Sequence, residues 1–108
     1  MLVAGFQEEG SVVMPQPAGL ISVLLDRTAR IDERDDAATD LEAHSGEHVV
    51  KALVDVASSP VEDKLVLASV AESLGRILAR DGGCPEDLLA SLHPDARRIA
   101  EEVLRASR

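Results

Sequence analysis

The 108-residue sequence holds a single aromatic residue, Phe6, and neither tryptophan nor tyrosine. Platforms that stack bases or flat cofactors need aromatic faces, so that mode of binding has no material here. One cysteine, Cys84, cannot close an internal disulfide, which fits a reducing compartment. Positive charge is also scarce, with 11 Lys and Arg against 20 Asp and Glu, a net charge of −9. Phosphate-backbone binding depends on Lys and Arg that displace counterions, so the balance argues against a nucleic-acid partner. Long apolar runs are missing too. The longest uncharged stretch, Gly10 to Leu25, contains Pro15, Pro17 and two glycines. It falls short of the ~20 apolar residues that span a bilayer. Glu8 and Glu9 interrupt the first apolar run before it reaches the length of a signal core. The expectation is a cytoplasmic protein without a membrane partner.

What remains is aliphatic and helical. Hydrophobic residues make up 45% of the chain, too many for a disordered acidic tail. Residues 1–16 show no sustained period and read as a flexible leader, leaving 17–108 as one helical domain. Leu20, Val23, Leu24 and Ile31 form an apolar stripe on a helix expected from Ala18 to Ile31. Asp32 is positioned to cap a second helix, Glu33 to Ala43, with Ala37, Ala38 and Leu41 inward. After the break at His44–Ser45–Gly46, Ser45 is the expected cap of a third helix, Glu47 to Ala57. Its buried side would hold Val49, Val50, Leu53 and Val54 or Val56. Ser59–Pro60–Val61–Glu62 has the spacing of a capping box, which starts a long fourth helix, Pro60 to Arg80. That helix is apolar over a wide arc, Leu67, Ala71, Leu74 and Leu78 on one row and Val66, Val70 and Ile77 on another. Such a helix is central, covered on two sides. Asp81–Gly82–Gly83 stops it. Two helices complete the chain, Pro85 to Leu92 and Asp95 to Ala106. No segment alternates with period two for long enough to be a strand, so the fold class is all-α.

Two of these helices register when the chain is slid by 33 residues. Arg34-x-x-Ala37-Ala38-x-x-Leu41 falls on Leu67-x-x-Val70-Ala71-x-x-Leu74-Gly75. Paired helices at such a period are the signature of an α-solenoid, in which small residues let neighbouring layers approach. These segments, with Arg76-Ile77 following, resemble HEAT repeats of the short kind found in phycobilin lyases. The order Glu33–Ala38, Ala52–Pro60, Ala71–Leu74 and Leu92–Arg98 is similar to small bacterial HEAT-like proteins, some encoded beside toxins as immunity proteins. The likeness covers about residues 17–106 and departs at Glu42, where the repeat usually has glycine. It implies a short HEAT-like α-α superhelix of about six helices and a protein-binding, non-enzymatic role.

The acidic charge is concentrated. Residues 32–47 contain Asp32, Glu33, Asp35, Asp36, Asp40, Glu42 and Glu47 against Arg34 alone, a net −6 within the segment. Asp36 and Asp40 are one helical turn apart and repel by a few tenths of a kcal/mol, so the fold gains nothing from them. A docking face for a basic protein gives them a purpose, through fast, salt-dependent capture. A solvated face on an acidic protein is the plainer explanation.

Other constellations carry less. His44 and His48 are four apart, yet Ser45–Gly46 breaks the helix between them and spacing fixes no further ligand, so no metal is expected. Cys84 opens a short helix, but His93 is not placed beside it by sequence, so no nucleophile pair is expected. Gly82–Gly83 lacks a following Lys-Ser or Lys-Thr and is no phosphate loop. Ser73 has no nucleophile-elbow context. Arg97, Arg98, Arg105 and Arg108 give the last helix a basic side, balanced by Glu101 and Glu102. The sequence therefore favours an immunity-type inhibitor with no catalytic residue and no cofactor. A homo-oligomeric structural module is the second reading, since a short solenoid leaves apolar ends. A small metalloprotein or enzyme is the third.

Overall fold

The aliphatic run behind Pro17 begins the first helix of the computed structural model, which describes residues 16–82 and 86–107. Six α-helices follow one another among the described residues: α1 Ala18–Leu25, α2 Ile31–Asp40, α3 Glu47–Ala57, α4 Lys64–Asp81, α5 Glu86–Ala90 and α6 Pro94–Ala106. A 3-10 turn, Leu41–Ala43, closes α2. No strand occurs among the described residues, and the fold is all-α. Among the same residues, no helix is long and apolar enough to cross a membrane. The expected leader, save Gln16, and the readings of Gly83, Cys84, Pro85 and Arg108 lie outside the described residues.

Several helix boundaries and caps depart from the expected positions. The first helix ends at Leu25, six residues before Ile31. Asp26 stops it, its Oδ1 accepting hydrogen bonds from the Thr28 backbone N–H (2.9 Å) and hydroxyl (2.6 Å). Such local bonds compete with helix propagation. Ile31 therefore opens α2 instead of extending α1, and both it and Val23 are exposed. The N-cap of α2 is Arg30 and not Asp32, which sits in the first turn. A negative charge there suits the helix dipole. Ser45 does not cap α3; Gly46 takes that place without a side-chain cap.

The largest departure is at the fourth helix. The box Ser59–Pro60–Val61–Glu62 does not form. Helix α4 starts at Lys64, and Asp63 caps it, accepting from the Leu65 N–H (2.8 Å) and the Val66 N–H (3.4 Å). Glu62 pairs with Arg34, as described below, and accepts from the Asp63 N–H at 3.0 Å instead of reaching back to Ser59. The last helix starts at Pro94 behind His93, whose Nδ1 accepts from the Asp95 N–H at 3.1 Å.

Packing follows the expected pattern at the centre. Helix α4 packs against α6, α2 and α3. Its two rows, Leu67, Ala71, Leu74, Leu78 and Val66, Val70, Ile77, are all buried. Ala37 and Ala38 from α2, Leu41 from the turn that closes it, and Val49, Leu53 and Val56 from α3 complete the middle, whereas Val50 and Val54 are half-buried. The α2–α4 contacts rise in step: Asp35 meets Ser69, Ala38 meets Ser73, Glu42 meets Arg76. The two helices thus run parallel, offset by about the period of the sequence repeat. On the other side, α4 and α6 cross at Gly75. A Cβ built there would lie 2.9 Å from Val103 Cβ and 3.1 Å from the Ala100 carbonyl oxygen. At that crossing only hydrogen fits. The Ala57 carbonyl accepts from the His93 N–H at 2.9 Å, tying the end of α3 to the start of α6.

Candidate acidic docking face

Helix α2 divides its residues by period. Arg34, Ala37 and Ala38 point inward and are buried, as is Leu41 in the turn behind them. At 100° per residue, Asp32, Glu33, Asp36 and Asp40 fall on the opposite arc, and all four are exposed. Asp36, Asp40 and Glu33 form no ion pair among the described residues, and neither does Glu47, exposed in the first turn of α3. They form an exposed negative surface without ion pairs among the described residues.

The remaining acids of the segment are engaged within the chain. Asp32 receives both Nε (3.1 Å) and a terminal nitrogen (2.8 Å) of Arg30 at the surface. Asp35 lies on the flank toward α4, half-buried, and accepts from the Ser69 hydroxyl. Glu42 meets Arg76 at 3.2 Å. Arg80 donates to the main-chain oxygens of Glu42 (2.7 Å) and His44 (2.9 Å), fastening the turn behind α2 onto α4. Of the seven acids singled out from the sequence, Asp32, Asp35 and Glu42 have partners within the chain, and Glu33, Asp36, Asp40 and Glu47 are exposed without an ion pair among the described residues.

The basic side of α6 does not complement this face. Arg97 pairs with Glu101 (3.0 Å) and Arg98 lies 3.8 Å from Asp95, both within the helix. His44 and His48 are separated by the turn at Gly46, whose φ of 116° favours glycine. His48 lies in the first turn of α3 and His44 precedes the helix in extended backbone. No group of three or more potential ligands that could hold a metal occurs among the described residues.

One constellation escaped the sequence reading. The Arg34 guanidinium meets the Glu62 carboxylate through two hydrogen bonds of 2.8 Å, and its Nε donates to the Leu24 carbonyl oxygen at 2.9 Å. The side chains are 4% and 1% exposed, and Arg27 adds a positive charge 3.7 Å away. Burial alone would push the Glu62 carboxyl up. The Arg34 hydrogen bonds, the Asp63 N–H and the nearby positive charges outweigh it and hold the group below the ordinary glutamate value of 4.5. The signal was present in α2: Arg34 occupies the same inward row as Ala37, Ala38 and Leu41, and a buried guanidinium needs a carboxylate partner. The pair anchors the link between α3 and α4 against α2, so it sets where the acidic row stands.

No family model, curated protein or solved structure matches the chain.

Proposed function

We propose that this chain is a non-enzymatic protein-binding module that docks a basic protein on the outer face of α2, in the manner of an immunity-type inhibitor. The observation that carries the reading is the pair Asp36 and Asp40, exposed one turn apart and unpaired among the described residues. Two like charges so placed cost the isolated fold a few tenths of a kcal/mol, and a cationic surface would reverse that cost. Asp32 and Glu33 extend the row toward the N-terminus, and Glu42 and Glu47 continue it past the turn. Asp35 acts from behind, joined to Ser69. A HEAT-like array supplies the scaffold in this reading. The parallel course of α2 and α4 and the 33-residue register of their sequences support it.

The test is co-purification from cells of the source organism at low and high salt, with identification of what is retained. A basic protein held only at low salt, and lost with Asp36→Lys/Asp40→Lys, is the expected result. Retention unchanged by that double reversal would sink the reading.

A homo-oligomeric module has one observation of its own. Val61 is 76% exposed and Leu65 54%, and Ile31 is exposed at the matching end of α2. Leu89, Leu92 and Leu104 of the last two helical segments are buried. Sedimentation of the wild type beside Val61→Ser/Leu65→Ser tests this reading. A change in mass between them supports it.

A further inference from the structure

We infer that the partner is gripped by a second, apolar contact: a groove between α3, the end of α4 and α5 that takes the aliphatic face of a basic amphipathic helix. This inference deepens the acidic-face reading and rests on it. The groove encloses about 570 Å³ and is lined by Val50 and Val54 of α3, Leu78 of α4 and Leu88 of α5. Leu78 forms its buried floor. Val50, Val54 and Leu88 are only half-buried against the core, so their outer surfaces await cover. Aliphatic surface of this kind gains from burial, and a concave site allows a partner side chain to be surrounded.

The rim decides what kind of segment fits. Glu47 at the start of α3 and Asp81 at the end of α4 are both exposed at the groove. The one Lys on the lining, Lys51, lies 3.3 Å from Asp55 and is neutralised there. Arg80 offsets Asp81, 3.7 Å from its Nε, while its terminal nitrogens donate to the carbonyl oxygens of Glu42 and His44. Those two bonds also place the end of the acidic segment beside the groove. Glu42 is itself paired with Arg76, so the unpaired acid at the rim, among the described residues, is Glu47, the last of the acidic segment. A helix that lays an aliphatic face into the groove and carries Lys or Arg along its flank answers both the valines and Glu47. An acidic or purely polar segment satisfies neither.

The probe is a synthetic helical peptide with Leu on one face and Lys on the other, titrated against the full chain by fluorescence anisotropy. Two controls keep the pattern, one with Glu replacing Lys and one with Ser replacing Leu. Binding of the Leu/Lys peptide alone is expected. Val54→Glu should weaken it about tenfold, a loss on the scale of a central interface contact. The direction discriminates, because the added negative charge would tighten a dock held by charge alone. Val54→Thr, nearly isosteric, should weaken it in the same direction and guards against misfolding of the Glu variant. Equal binding of the Ser control, or unchanged or tighter binding by both Val54 variants, overturns the groove. If Asp36→Lys/Asp40→Lys then still abolishes binding, the acidic face survives without the groove. If that reversal has no effect while the Val54 variants do, the groove stands and the acidic row falls. Self-association of the wild-type chain that Val54→Glu abolishes would assign the groove to a second copy and overturn the inference.

Discussion

Arg34 and Glu62, 28 residues apart in sequence, form a two-pronged ion pair that is almost closed to solvent. Removing one member of such a pair leaves the other charge buried and unanswered, at a cost of about 3–5 kcal/mol. Glu62→Ala is therefore expected to be among the most damaging single substitutions outside the aliphatic core. Replacing both residues, Arg34→Met with Glu62→Leu, should cost much less than either single change. Urea unfolding of the three variants checks the order, and an additive double variant would contradict it.

The same pair sets a pH dependence. Its Glu62 carboxyl is held below 4.5 in the folded chain, whereas the unfolded chain titrates near that ordinary value. The stabilisation is thus fully present above pH 4.5 and lost as pH falls through the lower, folded value. Thermal melts of wild type and Glu62→Gln should differ most near neutrality and converge in acid. Asp26 titrates with the same sign, because hydrogen bonds from Thr28 hold its carboxyl below 3.8, but it lies at the surface. A gap between the two melts that stays constant to low pH would refute the assignment.

Gly75 marks the closest approach of α4 and α6. Alanine would gain about 1 kcal/mol of helix propensity there. Its methyl would press on Val103 and on a backbone oxygen that cannot turn aside. Overpacking of this kind costs about 1–3 kcal/mol, so Gly75→Ala should destabilise the chain and Gly75→Leu far more. Adding Val103→Ala to Gly75→Ala should recover part of the loss, which chemical denaturation would measure.

Helix α4 depends on Asp63 for its cap. Asp63→Ala should cost about 0.5–2 kcal/mol, the usual range for a lost N-cap. Ser59→Ala should cost less. Its Oγ accepts from Arg27 (3.0 Å) and from the Val61 N–H (3.4 Å), outside the helix. Equal losses at the two sites would restore the box at Ser59.

Asp36→Lys/Asp40→Lys should leave the melting temperature unchanged or raise it slightly: the two lysines repel one another as the aspartates did, but a lysine at position 36 faces Asp32 and Glu33 one turn earlier on a chain of net charge −9. A large loss of stability would show that the row serves the fold and not a partner.

The aliphatic periods of α2, α3 and α4 carried the all-α fold in plain view, because burial selects residues at helical spacing. The helix starts did not. Between Ala57 and Lys64 two cap signals overlap, Ser59 with Glu62 and Asp63 with Val66, and local rules cannot rank them. The choice belongs to Arg34, a residue far back in the chain that claims Glu62. Asp26 and Thr28 ended α1 by an equally local bond hidden inside a continuing apolar stripe. For the acidic segment, sequence spacing put Asp36 and Asp40 on one face. It could not foresee that Asp35 turns to Ser69, or that Glu42 belongs to Arg76. Those engagements depend on how α2 lies against α4.

Ser73 holds α2 by the carbonyl oxygen of Ala38 at 2.7 Å, and Arg80 holds the turn behind it by those of Glu42 and His44. Every chain position offers such an oxygen, whatever its side chain. These fastenings therefore place no demand on which residues occupy the outward positions of the helix. Positions 33, 36 and 40 are free to drift in sequence while the framework beneath them persists, so one scaffold could follow a changing partner without being redesigned.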